Sequence, residues 1–188
     1  MFCTDDGIFF EPAPALLKPD WGQTAGISLR LGRNSSYCHP ANETYPSPGF
    51  QKIGNLLAWR WQKAKGDFRV TYSLDAHIYA RKRLMEIMAR FHFQNPNQLE
   101  DRLNRFGVQD APDWMLCPEK SCYVSLPINR VNSEFLNRAG LEHPVSEQDL
   151  LEKFLSGQRL DIDRIVTSQP VGPHQEYPLA WTNTLPSK

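Results

Sequence analysis

Four cysteines and one neighbouring histidine are the residue types in this 188-residue chain best suited to holding a metal. Cys117 and Cys122 are separated by four residues, and closely spaced thiolates are typical of tetrahedral zinc sites. One interpretation is a structural zinc held by Cys3, Cys38, Cys117 and Cys122, with His39 as a substitute ligand. The other is free thiols packed as small apolar side chains, because only one pair has suitable spacing. The sequence leaves both open.

Basic and aromatic side chains are interleaved in the centre of the chain. Between Lys52 and Arg105 there are eleven basic and five acidic residues, a net charge of +6, whereas the whole chain balances 21 basic against 21 acidic residues. Such asymmetry indicates an anionic partner. Nucleic-acid binding uses cations that replace phosphate counterions and rings on which bases stack. The predicted contacts are Trp59, Arg60, Lys63, Lys65, Arg69, Arg81, Lys82, Arg83 and Arg90. Of these, Arg60, Lys63, Lys65, Arg81, Lys82 and Arg83 are expected to share one exposed face, with Trp59 as the stacking ring.

The same charges have a second interpretation. The net charge of the chain is zero, so it lacks the strongly basic balance of many nucleic-acid-binding proteins. The basic residues could instead face the acidic flanks or neighbouring protein subunits, with the aromatic rings in the core. This interpretation predicts a protein–protein adaptor without nucleic-acid contact.

No catalytic motif is present in the sequence. Neither a HExxH, a G-x-S-x-G nor a Walker A pattern occurs, and the histidines are scattered at His39, His77, His92, His143 and His174. A nuclease or other hydrolase without a motif, using His77 or His92 as a general base, is the remaining enzymatic alternative.

The helices and strands that position these residues are predicted from the periodicity of apolar residues. The apolar spacing predicts helices over 53–65, 76–93 and 98–106, the second opened by Asp75 as its N-cap. Alternating apolar residues predict strands over 26–31, 68–74 and 123–126. The predicted fold class is therefore α+β, a small and mostly antiparallel sheet packed against three central helices.

Towards the C-terminus the sequence predicts a helical hairpin and an extended tail. Helices are expected over 133–139 and 146–155, and the second carries Glu147, Asp149 and Glu152, so it does not suit a phosphate-lined groove. The expected organisation is a core with a loop-rich N-terminus over 1–130, a helical portion over 131–168 and a Pro-rich tail over 169–188, all in one compact domain. No apolar run approaches the length of about 20 residues that spans a membrane. The start of the chain lacks a basic signal-peptide region, so a cytoplasmic protein is predicted.

The functional prediction from these observations is a non-enzymatic protein that binds RNA or DNA. It would be a subunit of a larger nucleoprotein assembly and would use the basic and aromatic surface within residues 52–105. The protein–protein adaptor is the first alternative and the motif-free nuclease or hydrolase the second.

Overall fold

The structure, a computed structural model, describes residues 1–4, 6–13, 19–128 and 138–183. These residues form a mixed α/β fold whose main sheet is mostly antiparallel. The strands are β1 (Gly7–Phe9), β2 (Thr24–Ser28), β3 (Tyr37–Cys38), β4 (Glu43–Thr44), β5 (Gln51–Ile53), β6 (Leu56–Arg60), β7 (His77–Ile78), β8 (Trp114–Pro118), β9 (Tyr123–Ser125), β10 (Arg159–Leu160) and β11 (Trp181–Thr182). The α-helices are α1 (Arg81–Met88), α2 (Pro96–Arg102), α3 (Glu147–Leu155) and α4 (Ile162–Ser168). Single 3-10 turns occupy Trp61–Lys63, Gly66–Arg69 and Val108–Asp110, and a π-helical turn occupies Leu103–Gly107.

The main sheet has five strands in the order β5-β6-β8-β2-β7. Only the pair of β2 and β8 is parallel. Both faces of the sheet are covered: Trp59 and Met115 pack with Phe68 on one face, and Ile27 packs with Leu116 on the other. Burial on both faces explains why the central strands are almost continuously apolar. The predicted mostly antiparallel sheet is therefore confirmed.

The predicted helix over 53–65 is wrong, because this segment forms the hairpin of β5 and β6 and a short 3-10 turn. Ile53 is paired with Leu56, so Gly54 and Asn55 form a two-residue turn, and Gly54 has a φ of 60°. Glycine adopts this left-handed conformation at no steric cost, and Gly-Asn between apolar runs is a hairpin signal. The apparent helical spacing arose because every residue from 56 to 59 is buried.

The predicted strand over 68–74 is also wrong, although most of the segment is buried. Its backbone groups bond to side chains instead of a neighbouring strand. Asn104 accepts from the Tyr72 amide at 3.1 Å, the Tyr79 hydroxyl accepts from the Ser73 amide at 2.6 Å, and Glu100 accepts from the Leu74 amide at 3.1 Å. The alternation in sequence reflected burial, and side chains satisfy the amides that a strand would otherwise pair.

The helix predicted over 76–93 is shorter than expected. Residues 77 and 78 form the edge strand β7 on β2, Ala76 has a φ of 48°, and α1 begins only at Arg81. Asp75 is therefore not its N-cap. The helix predicted over 98–106 is confirmed in its main part by α2 and the π-helical turn, and Asn95 caps α2 by accepting from the Gln98 amide.

At the C-terminal end, α3 confirms the helix predicted over 146–155, and Ser146 and Asp149 form its capping box. The helix predicted over 133–139 lies almost wholly outside the described residues, so the predicted hairpin stays a prediction. Part of the tail pairs with the body of the protein: β11 pairs with β10, and the Ser125 amide donates to the Pro173 carbonyl. In the described ranges no helix is long and apolar enough to cross a membrane.

Candidate ligand-binding site

An open cavity of about 850 Å³ lies among the described residues. It lies where the end of β2, the buried segment 70–75, α2, β9 and the segment around His174 meet. Most of the residues that line it have polar side chains, namely Thr4, Asp6, Arg30, Arg69, Ser73, Asp75, Asn97, Glu100, Asp101, Asn104, Ser125 and His174, and the indole of Trp61 lines it as well. Cavities of this volume are typical of small-molecule sites.

Arg30 is the central charged group of the cavity wall. It is only 2% exposed, and its guanidinium lies 3.4 Å from an Asp75 carboxylate oxygen and 3.8 Å from an Asp67 oxygen. Burial alone would lower the pKa of Arg30, but Asp75 and then Asp67 raise it above its ordinary value. Buried charges of this kind persist only when they are paired. Arg30 is therefore a permanent cation within the fold.

Asp75 is held on several sides. Thr4 donates to one carboxylate oxygen at 3.1 Å, and the Ser125 hydroxyl donates to the other. Burial alone would raise the pKa of Asp75, but Arg30, His174 and the hydrogen bonds from Ser125 and Tyr123 together keep it below the ordinary value. Asp75 is therefore an ionised acceptor at the edge of the cavity.

Ser125, His174 and Asp75 do not form a nucleophilic triad. The Nε2 atom of His174 lies 3.4 Å from the same Asp75 oxygen that accepts from Ser125. In a triad the imidazole lies between the hydroxyl and the carboxylate, so that it can remove the hydroxyl proton. Here the Asp75 carboxylate lies between Ser125 and His174, so the imidazole cannot remove the hydroxyl proton of Ser125. The arrangement stabilises the negative charge of Asp75 and does not activate Ser125.

Two histidines near this cluster are kept neutral. Burial, followed by the charge of Arg30, lowers the pKa of His77 to about 3 and lowers that of His174 as well. The Nδ1 atom of His77 donates to the Asp75 carbonyl at 2.9 Å, and its ring stacks on that of Tyr79. His77 is part of the supporting structure and does not line the cavity, whereas His174 does.

Glu100 adds a second carboxyl group to the cavity, and its pKa is shifted in the direction opposite to that of Asp75. It projects from α2 onto the cavity wall and accepts from the Leu74 amide. Burial raises the pKa of Glu100 above its ordinary value despite the nearby Arg30. Two carboxyl groups of one cavity, Asp75 and Glu100, thus have pKa values shifted in opposite directions, an arrangement that acid–base enzymes also use.

Four predicted nucleic-acid contacts lie on residues 60–69, which we call the basic segment. Arg60, Lys63, Lys65 and Arg69 are all exposed, and Arg69 also lines the cavity. The acidic residue of the segment, Asp67, points inward to Arg30 and accepts from the Tyr45 hydroxyl. Its charge is compensated inside the protein. On the outer side Arg60 lies 3.9 Å from an oxygen of the exposed Asp113, so the excess of positive charge there comes from Lys63, Lys65 and Arg69.

The other predicted contacts lie elsewhere or are buried. Trp59 is fully buried in the central strand β6 and donates to the Phe68 carbonyl, so the expectation of an exposed stacking ring is wrong. Arg83 donates to the Thr24 and Trp21 carbonyls. Arg90 pairs with Asp110, while Arg81 and Lys82 are exposed on α1.

The predicted zinc ligands are not brought together. Cys117 and Cys122 pack in clusters on opposite faces of the sheet, Cys38 lies at the margin of the Cys117 cluster and Cys3 is exposed. Burial raises the pKa of Cys122 to about 11 and that of Cys117 further, so both are thiols at neutral pH. In the part of the chain that the structure describes, no three His, Cys, Asp or Glu side chains are grouped to hold a metal. Structural zinc, with or without His39, stays a prediction.

The residues that form the cavity have no distinctive sequence pattern. Arg30 occupies a polar position of a predicted alternating strand, and Asp75 resembles a helix cap. Nothing in the local sequence of His174 or Glu100 predicts a role. The available signal was weak: an arginine inside an otherwise buried strand pattern needs a carboxylate partner, because its charge is costly to bury alone.

Comparison of the chain with protein-family models, with characterised proteins and with solved structures finds no match.

Proposed function

We propose that this protein binds a single nucleic-acid strand, without chemical conversion, along the basic segment at the mouth of the cavity. The observation that carries the proposal is the run of four exposed cations, Arg60, Lys63, Lys65 and Arg69, which ends on the cavity lining. The flexible ammonium groups and the guanidinium groups are suited to phosphates spaced along a backbone. As a subunit of a nucleoprotein assembly, the protein would present this segment to the strand.

The surroundings of the basic segment support a single strand in particular. Trp61 is half-buried at the cavity wall, with its indole nitrogen donating to the Pro112 carbonyl at 2.8 Å. Arg60 lies over the Trp114 ring at 5.2 Å from its centroid. Aromatic rings beside cations are what non-specific single-strand binders use for stacking. The fully buried Trp59 does not contribute, and the ring available to a strand is Trp61.

The test is the salt dependence of binding to labelled single strands of roughly 12 nucleotides, both RNA and DNA. Each phosphate contact contributes about 0.7 to the slope of log affinity against log salt for single strands. The double variant Lys63→Gln/Lys65→Gln should therefore weaken binding and reduce the slope by up to about 1.4. An unchanged slope would place the phosphates elsewhere.

The matched control is Lys52→Gln/Lys120→Gln, which removes the same two charges from exposed positions outside the basic segment. It should leave the slope close to that of the parent protein. An equal loss of slope in both variants would indicate only a general effect of net charge.

Absence of binding to any strand, together with capture of a protein partner through the same lysines, would favour the protein–protein adaptor. The variant Arg81→Gln/Lys82→Gln tests whether α1 extends the surface.

A hydrolase is the second candidate, favoured by the opposite pKa shifts of Asp75 and Glu100 in one cavity. Such a pair can supply a general acid and a base. Cleavage of the labelled strands by the parent protein, lost in Glu100→Gln, would establish this function in place of binding alone.

A further inference from the structure

We infer that the cavity receives one unstacked nucleoside of the bound strand, with the base and sugar inside and the phosphates outside at Arg69. This inference rests on the proposed function and names the part of the ligand that enters the cavity. It is carried by the chemistry of the cavity wall, by unpartnered buried polar atoms on it and by the charge difference between its interior and its mouth.

The cavity wall is rich in hydrogen-bond acceptors. Asp75 and Glu100 present carboxyl groups, Asn97 presents an amide, and Ser73 and Thr4 present hydroxyls. Sugar hydroxyls and the amino groups of bases are donors that match such a wall, and directional polar groups of this kind give a pocket its specificity. The volume of about 850 Å³ lies in the range of about 300–1,000 Å³ typical of small-molecule sites, and it leaves room for water.

Two buried nitrogen atoms on the wall have no hydrogen-bond partner among the described residues. They are Nε of Arg30, a residue that is 2% exposed, and Nδ1 of His174. Buried polar groups are rarely left unpaired in native proteins, and each exception calls for a bound molecule or a function. Donors and acceptors together suit a base better than a simple cation.

The distribution of charge excludes phosphate from the interior. The lining has four carboxyl groups, on Asp6, Asp75, Glu100 and Asp101, and two guanidinium groups, on Arg30 and Arg69. Arg30 is already paired with two carboxylates, which leaves Arg69 as the cation available at the mouth. A strand would therefore lie with its phosphates on the basic segment and could turn only an uncharged nucleoside inward.

The half-buried Trp61 links the two regions. It directly follows Arg60 and lies two residues before Lys63, and it also lines the cavity. A base that leaves the stack of its strand loses stacking energy, and an aromatic side chain at the entrance can offset part of that loss. Because every base has a flat face, this contact accepts different bases.

The experiment compares single strands of roughly 12 nucleotides carrying normal bases with abasic strands of the same length and charge. For the parent protein, removal of the bases should weaken binding by roughly 5- to 150-fold, the range expected when one base loses its stacking contact. The salt slope should not change, because the phosphates are the same. The variant Lys63→Gln/Lys65→Gln should lose slope on both kinds of strand.

Glu100→Gln is the cavity variant, because glutamine can still accept from the Leu74 amide. It should remove most of the difference between normal and abasic strands, a loss of about tenfold on normal strands, with little change on abasic ones. Asn97→Ala at the exposed start of α2 is a second cavity variant that does not depend on the fold tolerating the change at Glu100. Thermal unfolding verifies that each variant is folded.

The outcomes separate the two proposals. Equal affinity for normal and abasic strands would overturn the nucleoside site and leave strand binding intact. A base-dependent affinity that survives both Glu100→Gln and Asn97→Ala would place the base outside the cavity and also overturn this inference. Failure to bind any strand would overturn the proposed function and the inference together.

Discussion

Acidification should destabilise this protein well above the range in which carboxyl groups titrate, and His77 should be a main cause. The imidazole is 1% exposed, donates through Nδ1 to the Asp75 carbonyl, and has no partner for Nε2 within the described ranges. Protonation would place a second buried cation near Arg30. Burial and then Arg30 accordingly lower the pKa of His77 to about 3, whereas an imidazole in the unfolded chain titrates near 6.5.

The sign and magnitude follow from proton linkage. Between about pH 6.5 and about pH 3 the unfolded chain binds a proton at residue 77 that the folded chain does not, so stability falls as the pH falls. The slope is about 1.4 kcal/mol per pH unit, which gives a loss of about 2 kcal/mol between pH 6.5 and pH 5. For a chain of this length that loss lowers the melting temperature by about 4–8 °C.

The assay is thermal or urea unfolding at about pH 7.5 and about pH 5 for the parent protein and for His77→Gln. The variant should lose about 2 kcal/mol less than the parent over this interval, whatever its absolute stability. His174 acts in the same direction and Glu100, whose pKa is raised, in the opposite direction, but both are present in the two proteins. The lowered pKa of Asp75 affects stability only below about pH 4.

His92→Gln is the matched control, because it removes an exposed imidazole. It should retain the pH dependence of the parent protein. If His77→Gln and the parent lose the same free energy between these pH values, residue 77 accepts its proton in the folded state, and the burial and polarity assigned to it are wrong.

Two further predictions concern the core and the cysteines. Ile87→Ala should lower the free energy of unfolding by about 2–5 kcal/mol, because Ile87 is the fully buried residue of α1, whereas Met85→Ala, at a position 54% exposed, should cost far less. A similar cost for both in urea unfolding would mean that α1 does not pack as described. Because Cys117 and Cys122 lie in different clusters, they should not share a zinc ion. A zinc ion that elemental analysis finds in the purified protein, and that is lost in both Cys117→Ser and Cys122→Ser, would contradict their placement.

Local sequence patterns were sufficient where an element depends on its own residues. The capping box of Ser146 and Asp149 is contained within four residues, and α3 begins where it predicts. Helix α2 likewise begins at an Asn-Pro pair that caps it. The alternation of apolar residues over 26–31 also predicted a strand that overlaps β2, although every residue of β2 is buried.

Apolar periodicity predicted the wrong secondary structure where the local sequence is compatible with two structures and tertiary contacts determine which one forms. Residues 56–59 are all apolar, so they fit a helix face as well as a buried strand, and the Gly54–Asn55 turn decided in favour of the hairpin. Leu84, Met88 and Phe91 share the apolar helical spacing of Ile87, yet they are only partly covered because α1 lies at the margin of its cluster. Segment 70–75 alternates like a strand, but its amides donate to the side chains of Asn104, Tyr79 and Glu100 instead of to a neighbouring strand.

The amino-acid sequence by itself determined the composition of the basic segment, and with it the prediction of an anionic partner. Exposed charges 60–69 are close in the chain, so their grouping needs no long-range contact. The cavity required the tertiary structure: Thr4, Arg30, Asp75, Glu100 and His174 come from five distant parts of the chain. No local sequence pattern marks any of these five residues as part of a site. Only the packing of β2, α2, β9 and the C-terminal segment brings these side chains to one cavity and shifts the pKa values of Arg30, Asp75, Glu100 and His174.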